Sequence, residues 1–159
     1  MDSTDAVAAP PPSPIRRPHP ITSLLRRAGW APAAVYLGHL AGSRGLDIYA
    51  VVPWFDEASH FAGGMAIAWF VAEAAAIFAL GSVTAPLRLP IHAALIVGGT
   101  SLAILLWEVQ EFAQDRLLGT RFQSGVADTM WDVILGFAGC ALYLALAAAR
   151  RTLGWERTQ

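Results

Sequence analysis

The sequence predicts an all-α, polytopic membrane helix bundle with four transmembrane helices, the first of them short. Three observations carry this prediction. The chain of 159 residues is 55% hydrophobic and only 14% charged, whereas a soluble domain usually carries about 25% charged residues. Its mean hydropathy is +0.47. Three apolar runs approach or exceed the length of about 20 residues that a helix needs to cross a bilayer.

Each element can be justified in order. Residues 1–27 contain the stretch AAPPPSPIRRPHP, which is rich in Pro and Ala and has no periodic apolar face. This composition predicts a disordered, arginine-bearing tail. The apolar stretch Ala28–Ala41 follows and is short, with Pro32 inside it and Gly42-Ser-Arg-Gly45 after it. Basic residues before a short apolar core also describe a cleavable secretory leader, but the long Pro-rich start favours a retained first helix. Leu46–Trp54 would extend that helix or lie along the interface. Phe61–Val83 supplies 23 residues with one charge, Glu73. Leu89–Trp107 supplies 19 with none, and Val133–Ala149 supplies 17 with none. The transmembrane domain is therefore expected at 28–150, with a short tail at 151–159.

Arginine placement orients the bundle. Arg16, Arg17, Arg26, Arg27, Arg88, Arg150, Arg151 and Arg157 fall on one side, and Arg44, Arg116 and Arg121 on the other. The positive-inside rule makes the richer side cytoplasmic, so both termini are expected there. Trp30, Trp54, Trp107, Trp131 and Trp155 lie near expected helix ends, where an aromatic belt forms. The net charge of −1 argues against nucleic acid as a partner, because phosphate binding wants a basic surface. The single cysteine, Cys140, excludes an intrachain disulfide or a thiolate metal cluster and reads as a small packing residue.

The chemistry gathers at one end. Asp56 and His60 open the second helix, four residues apart and so on one face. Glu108 and Glu111 close the third, with Asp115 beyond them, and Asp128 and Asp132 open the fourth. On the expected topology all three ends are extracytoplasmic. A rise of about 1.5 Å per residue puts His60 and Asp132 roughly one turn below Asp56 and Asp128, and Glu108 at comparable depth. Ionisable groups in membranes are rare and unfavourable. Asp56 and Asp128 could act as helix caps, and Arg116 and Arg121 could pair with Glu111 and Asp115. Asp132 is too deep to cap, and anions at a helix C-terminus oppose the dipole, so the set calls for a cation. Two compensators stay open. One is a divalent metal held by Asp56, His60, Glu108, Glu111, Asp128 and Asp132. The other is pairing with Arg116, Arg121 and a protonated His60. No ligand motif as specific as HExxH decides between them. Glu73 lies far along its helix and, like His92, is expected to be separately hydrated, while His39 reads as a packing histidine. Gly63-Gly64, Gly98-Gly99, Gly136 and Gly139 predict close helix approach.

WFDEASHFAGGMAIAW resembles the D-x-x-x-H-F-x-x-G signature of VanZ-like membrane proteins and of the related YjdF-type inner-membrane proteins. WEVQEF, followed by FQSGVADTMWDVILGFAG, is closer to the W-E-x-x-E-F … D-T-x-x-D … G pattern of the YjdF type. The resemblance covers roughly residues 46–147 and picks out Asp56, His60, Glu108, Glu111, Asp128 and Asp132. The chain differs from VanZ-like members in having Glu111 where they often have Gln and Gly136 where they often have Asn. The resemblance implies an envelope protein of the bacterial cytoplasmic (inner) membrane, linked in the VanZ case to glycopeptide (teicoplanin) resistance, without an established reaction. The bilayer is then one partner, and an envelope lipid or glycopeptide-related ligand is another. Two functions are expected to compete: a ligand- or ion-binding accessory protein, and a metal-dependent enzyme acting on an envelope lipid phosphate or lipid-linked intermediate, with Arg116 or Arg121 on the phosphate. A transporter would want internal repeats and broken midplane helices, and neither is evident.

Overall fold

The computed structural model describes residues 19–44, 48–52, 54–82 and 89–156. Of the expected tail over residues 1–27, residues 1–18, with Arg16 and Arg17, lie outside these residues, as do Arg88 and Arg157. Every regular element among the described residues is helical: α1 (Pro20–Leu24), a π-helical turn (Leu25–Gly29), α2 (Trp30–Arg44), α3 (Ile48–Val51), α4 (Phe55–Ser82), α5 (Leu89–Leu118) and α6 (Val126–Glu156).

Helical structure begins at Pro20, eight residues before the boundary drawn at Ala28. Proline suits this start, because its fixed φ is helical and its missing N–H is not needed in the first turn. The His19 ring nitrogen accepts the Ile21 amide at 3.4 Å and Thr22 Oγ1 donates to the His19 carbonyl at 2.7 Å. α1, the π turn and α2 then run on without a break. Pro32 explains the π turn, since its ring would collide with the carbonyl of Ala28, four residues earlier. Ala28 lies inside the wider turn, which opens that space.

Three helices are long and apolar enough to cross a membrane: Phe55–Phe78, Pro90–Leu118 and Val126–Arg150. The N-terminal helix is shorter and does not join that set. All three spans extend beyond the apolar runs that announce them. α5 continues from Trp107 to Leu118 and stops at Gly119, whose φ of 68° is the left-handed C-cap conformation that glycine adopts freely. α6 starts at Val126 and stays helical through Glu156, into the expected C-terminal tail.

α4 is the hub, packing against α2, α5 and α6, while α5 also meets α6. α4 and α6 cross where their backbones nearly touch. A Cβ on Gly64 would strike the Gly136 carbonyl, and one on Gly139 would strike the Phe61 carbonyl. α2 and α5 have no Cα pair within 8 Å among the described residues and meet through side chains alone, as in the Tyr36 hydroxyl donating to Gln110 Oε1 at 3.0 Å.

Burial is inverted relative to a water-soluble bundle. On α5, Leu102, Leu105, Leu106, Val109 and Phe112 point outward, whereas Ile96, Thr100, Ile104, Glu108 and Glu111 point in. An apolar solvent outside and polar groups inside is the arrangement a lipid environment selects. Cys140 packs in the core with Ala68, Ala72 and Ile96.

Candidate functional site

Four helices converge at the end of the bundle where α4 and α6 begin and α2 and α5 end, and each contributes acid or imidazole. α4 places Asp56 in its first turn and His60 one turn on, sharing a face. α5 contributes Glu108 and Glu111, three apart, and α6 contributes Asp132. α2 contributes His39. His39 and Glu111 are each 1% exposed, and His60, Glu108 and Asp132 are also buried.

His60 is the centre of the group. Its Nε2 lies 3.5 Å from Asp56 Oδ1, 3.9 Å from Glu111 Oε1 and 3.9 Å from Asp132 Oδ1, while its Nδ1 lies 3.6 Å from Glu108 Oε1. His39 faces the same acids from the other side, with Nε2 at 3.1 Å from Glu111 Oε1 and Nδ1 at 3.7 Å from Asp56 Oδ1. The glycine crossing sets this geometry. Gly64 is one turn below His60 and Gly136 one turn below Asp132, so the closest approach of α4 and α6 brings these two side chains together.

A surrounding shell fixes the acids. Trp107 Nε1 donates to Glu111 Oε1 at 2.7 Å, and its ring lies 5.1 Å from the His39 ring and 5.2 Å from that of His60. Phe122 closes over His39 with ring centroids 5.7 Å apart. Gln123 reaches back from the α5–α6 loop and donates to Glu108 Oε2 at 3.2 Å and to the Glu108 carbonyl at 3.1 Å. That loop is held in turn by Asp115, which accepts from Thr120 Oγ1 and from the amides of Phe122 and Gln123 at 2.7, 2.8 and 3.0 Å. The buried His60 Nε2 and Glu108 Oε1 meet charged neighbours only at 3.5 and 3.6 Å, longer than a good hydrogen bond.

Of the residues expected at the site, the structure gathers Asp56, His60, Glu108, Glu111 and Asp132. Asp128 stands apart, its Oδ2 accepting the Ser124 amide at 2.8 Å at the start of α6. Arg116 is exposed and stacks over the Phe112 ring at 5.3 Å, and Arg121 is exposed. Among the described residues neither arginine forms an ion pair with the group. Glu73, expected to be hydrated alone, pairs with Arg27 at 3.7 Å at the other end of the bundle.

Two residues carry more than their sequence readings gave them. His39 was expected to pack and instead faces two acids. Its signal was depth, because it precedes the end of α2 by about as much as His60 follows the start of α4. Trp107 was expected in the interfacial belt and instead turns inward, since α5 continues eleven residues past it.

A family model described as "Predicted membrane protein (DUF2238)" matches residues 19–152. The chain belongs to this family. The match takes in all four helices that build the site, including α2 and therefore His39. The family description identifies a membrane protein, in agreement with the three long apolar helices. No curated protein and no solved structure matched the chain.

The donor set has defined chemistry. Three combinations bring one ligand atom per residue within 4.8 Å of one another: His39, Asp56 and Glu111; Asp56, His60 and Asp132; and His60, Glu108 and Glu111. Imidazole and carboxylate donors suit Zn²⁺, Mn²⁺ or Fe²⁺. A cavity of about 670 Å³ opens between α5 and α6, lined by Phe112, Arg116, Gln123, Thr129 and Met130 among others, and no member of the donor set lines it. Gln123 thus touches both the cavity and Glu108.

Proposed function

We propose that this family member is a cation-binding protein of the bacterial inner membrane, holding a divalent metal at the extracytoplasmic end of its bundle. One observation carries the reading. His60 Nε2 is buried and faces three carboxylates at 3.5–3.9 Å, with Asp56 the nearest, so three acids crowd one imidazole nitrogen. Four carboxylates in an apolar bundle repel one another and are poorly solvated. A bound ion, or protons on the imidazoles and acids, has to compensate them, and the crowding of acids on one nitrogen favours the ion. A metal on Nε2 would use its lone pair together with the Asp56, Glu111 and Asp132 oxygens that face it. The arginine alternative has less support, because Arg116 and Arg121 point elsewhere.

In this reading the N-terminal helix is a fourth span, both termini are cytoplasmic, and the likeness to VanZ-like and YjdF-type proteins reflects the shared Asp56, His60, Glu108 and Asp132 pattern. A glycopeptide-related ligand rests on that likeness alone.

Elemental analysis of detergent-purified protein tests the proposal. Bound Zn, Mn or Fe is expected in the native chain and in Asp128→Asn, and a loss of most of it in Asp132→Asn and Glu108→Gln. Background metal in the native chain after supplementation overturns the reading.

The cavity lined by Arg116 and by Gln123, which bonds Glu108, favours a second reading, a metal-dependent hydrolase of a lipid phosphoester. Arg116 would hold the phosphate while the metal polarises a phosphoryl oxygen. Water adds to phosphorus as the bond to the lipid oxygen breaks. Release of inorganic phosphate from a polyprenyl phosphate in micelles, abolished by Asp132→Asn and reduced by Arg116→Ala, supports it. No release from metal-loaded protein leaves the binding reading alone.

A further inference from the structure

The geometry points to two metal ions in this site, one on His39 and one on His60, bridged by Asp56 and Glu111. The inference deepens the metal reading above and rests on it.

The first argument is reach. Ligand atoms on opposite sides of a single ion are separated by about twice the metal–ligand distance, roughly 4.2 Å for bonds of about 2.1 Å. No combination of ligand atoms within 4.8 Å contains both histidines. One ion therefore cannot take both imidazoles as they stand.

The second argument is sharing. His39 groups with Asp56 and Glu111, while Asp56 also groups with His60 and Asp132, and Glu111 with His60 and Glu108. Asp56 and Glu111 thus serve both histidines. Asp132 and Glu108 serve His60 alone, which leaves the His39 ion with a less crowded coordination sphere.

The third argument is charge. Four carboxylates carry four negative charges, and two divalent ions with neutral imidazoles cancel them. A single ion would cancel two of them and leave the rest to protons on the imidazoles or the acids, so a second ion is the arrangement that needs none. Helix bundles build two-metal sites from this same inventory of four carboxylates and two imidazoles.

The evidence for a ligand does not come from the acids alone. The buried His60 Nε2 and Glu108 Oε1 point into the group and meet their neighbours only at 3.5 Å and beyond, so a ligand would draw on atoms that the protein pairs loosely.

The test is stoichiometry on the full chain in detergent, stripped with chelator and reloaded with Mn²⁺. Two Mn per chain are expected, with a coupled spin-resonance spectrum in place of the isolated six-line pattern. His39→Ala is expected to hold about one Mn and to regain the six lines. Asp128→Asn is expected to keep two. One Mn per chain in the native protein overturns the two-ion inference and leaves the metal reading intact. No Mn in the native protein overturns the two-ion inference, and it overturns the metal reading as well if reloading with Zn²⁺ or Fe²⁺ also leaves only background. Because the native stoichiometry decides the matter, the inference stays testable even if His39→Ala fails to fold.

Discussion

Glu111 is a fully buried acid, and the Trp107 indole supplies it with a hydrogen bond at 2.7 Å. A bond to a buried charged group is worth more than a neutral one, and losing the donor leaves an acceptor short, for about 1–3 kcal/mol. Trp107→Phe keeps an aromatic ring between the histidines but removes the N–H. It should lower the melting temperature in detergent, and Trp107→Ala should lower it further by removing the ring contacts with His39 and His60. Equal melting of Trp107→Phe and the native chain would show that the indole N–H does not matter. At this scale the sequence was partly legible. Asp56, His60, Glu108, Glu111 and Asp132 declared themselves as charges bordering apolar runs. His39 did not, because a lone histidine in a short helix has no partner in its own neighbourhood, and its acids arrive from α4 and α5. Trp107 was ambiguous for a related reason: a tryptophan at the end of an apolar run suits the interface and the interior equally well.

The elements were legible in kind but not in extent. Apolar runs mark where lipid touches a helix, whereas a helix ends only where something stops it. α5 therefore passes through Glu108 and Glu111 and stops at Gly119. This changes the physics assigned to those acids. The sequence placed them at a helix C-terminus, in conflict with the dipole, but they lie well before Leu118, and the dipole effect is confined to about the last turn. Burial, not the dipole, is what disfavours their charge. The glycines were legible as packing residues, but only the structure shows which of them meet backbone. Gly64→Ala and Gly139→Ala would each drive a methyl into a carbonyl of the facing helix. Overpacking of this kind costs about 1–3 kcal/mol. Because the crossing sits one turn from His60 and Asp132, metal retention should fall together with thermal stability. Gly98→Ala is the control, since nothing lies within 4 Å of its added Cβ, and the alanine should be neutral or slightly stabilising in a helix. If Gly98→Ala and Gly139→Ala melted alike, the crossing would not be the constraint described.

At the scale of the whole molecule, orientation is the remaining question that the chain itself can answer. The site-bearing end joins the ends of α2 and α5 to the starts of α4 and α6, so a single sidedness measurement assigns every site residue at once. Arg26, Arg27 and Arg150 lie at the opposite end, among the eight arginines that the positive-inside rule places in the cytoplasm, against three at the site end. The bundle's composition was legible because lipid imposes it on every exposed face, while the convergence of four helix ends was not, since it depends on the α4–α6 crossing. With Cys140→Ser as background, Ser124→Cys lies in the exposed α5–α6 loop at the site end and Arg150→Cys at the other. An impermeant maleimide added to intact spheroplasts should label Ser124→Cys and leave Arg150→Cys untouched until the membrane is opened. The reverse pattern would put the site in the cytoplasm, and any metal it binds would then come from the cytosolic pool rather than from outside the membrane.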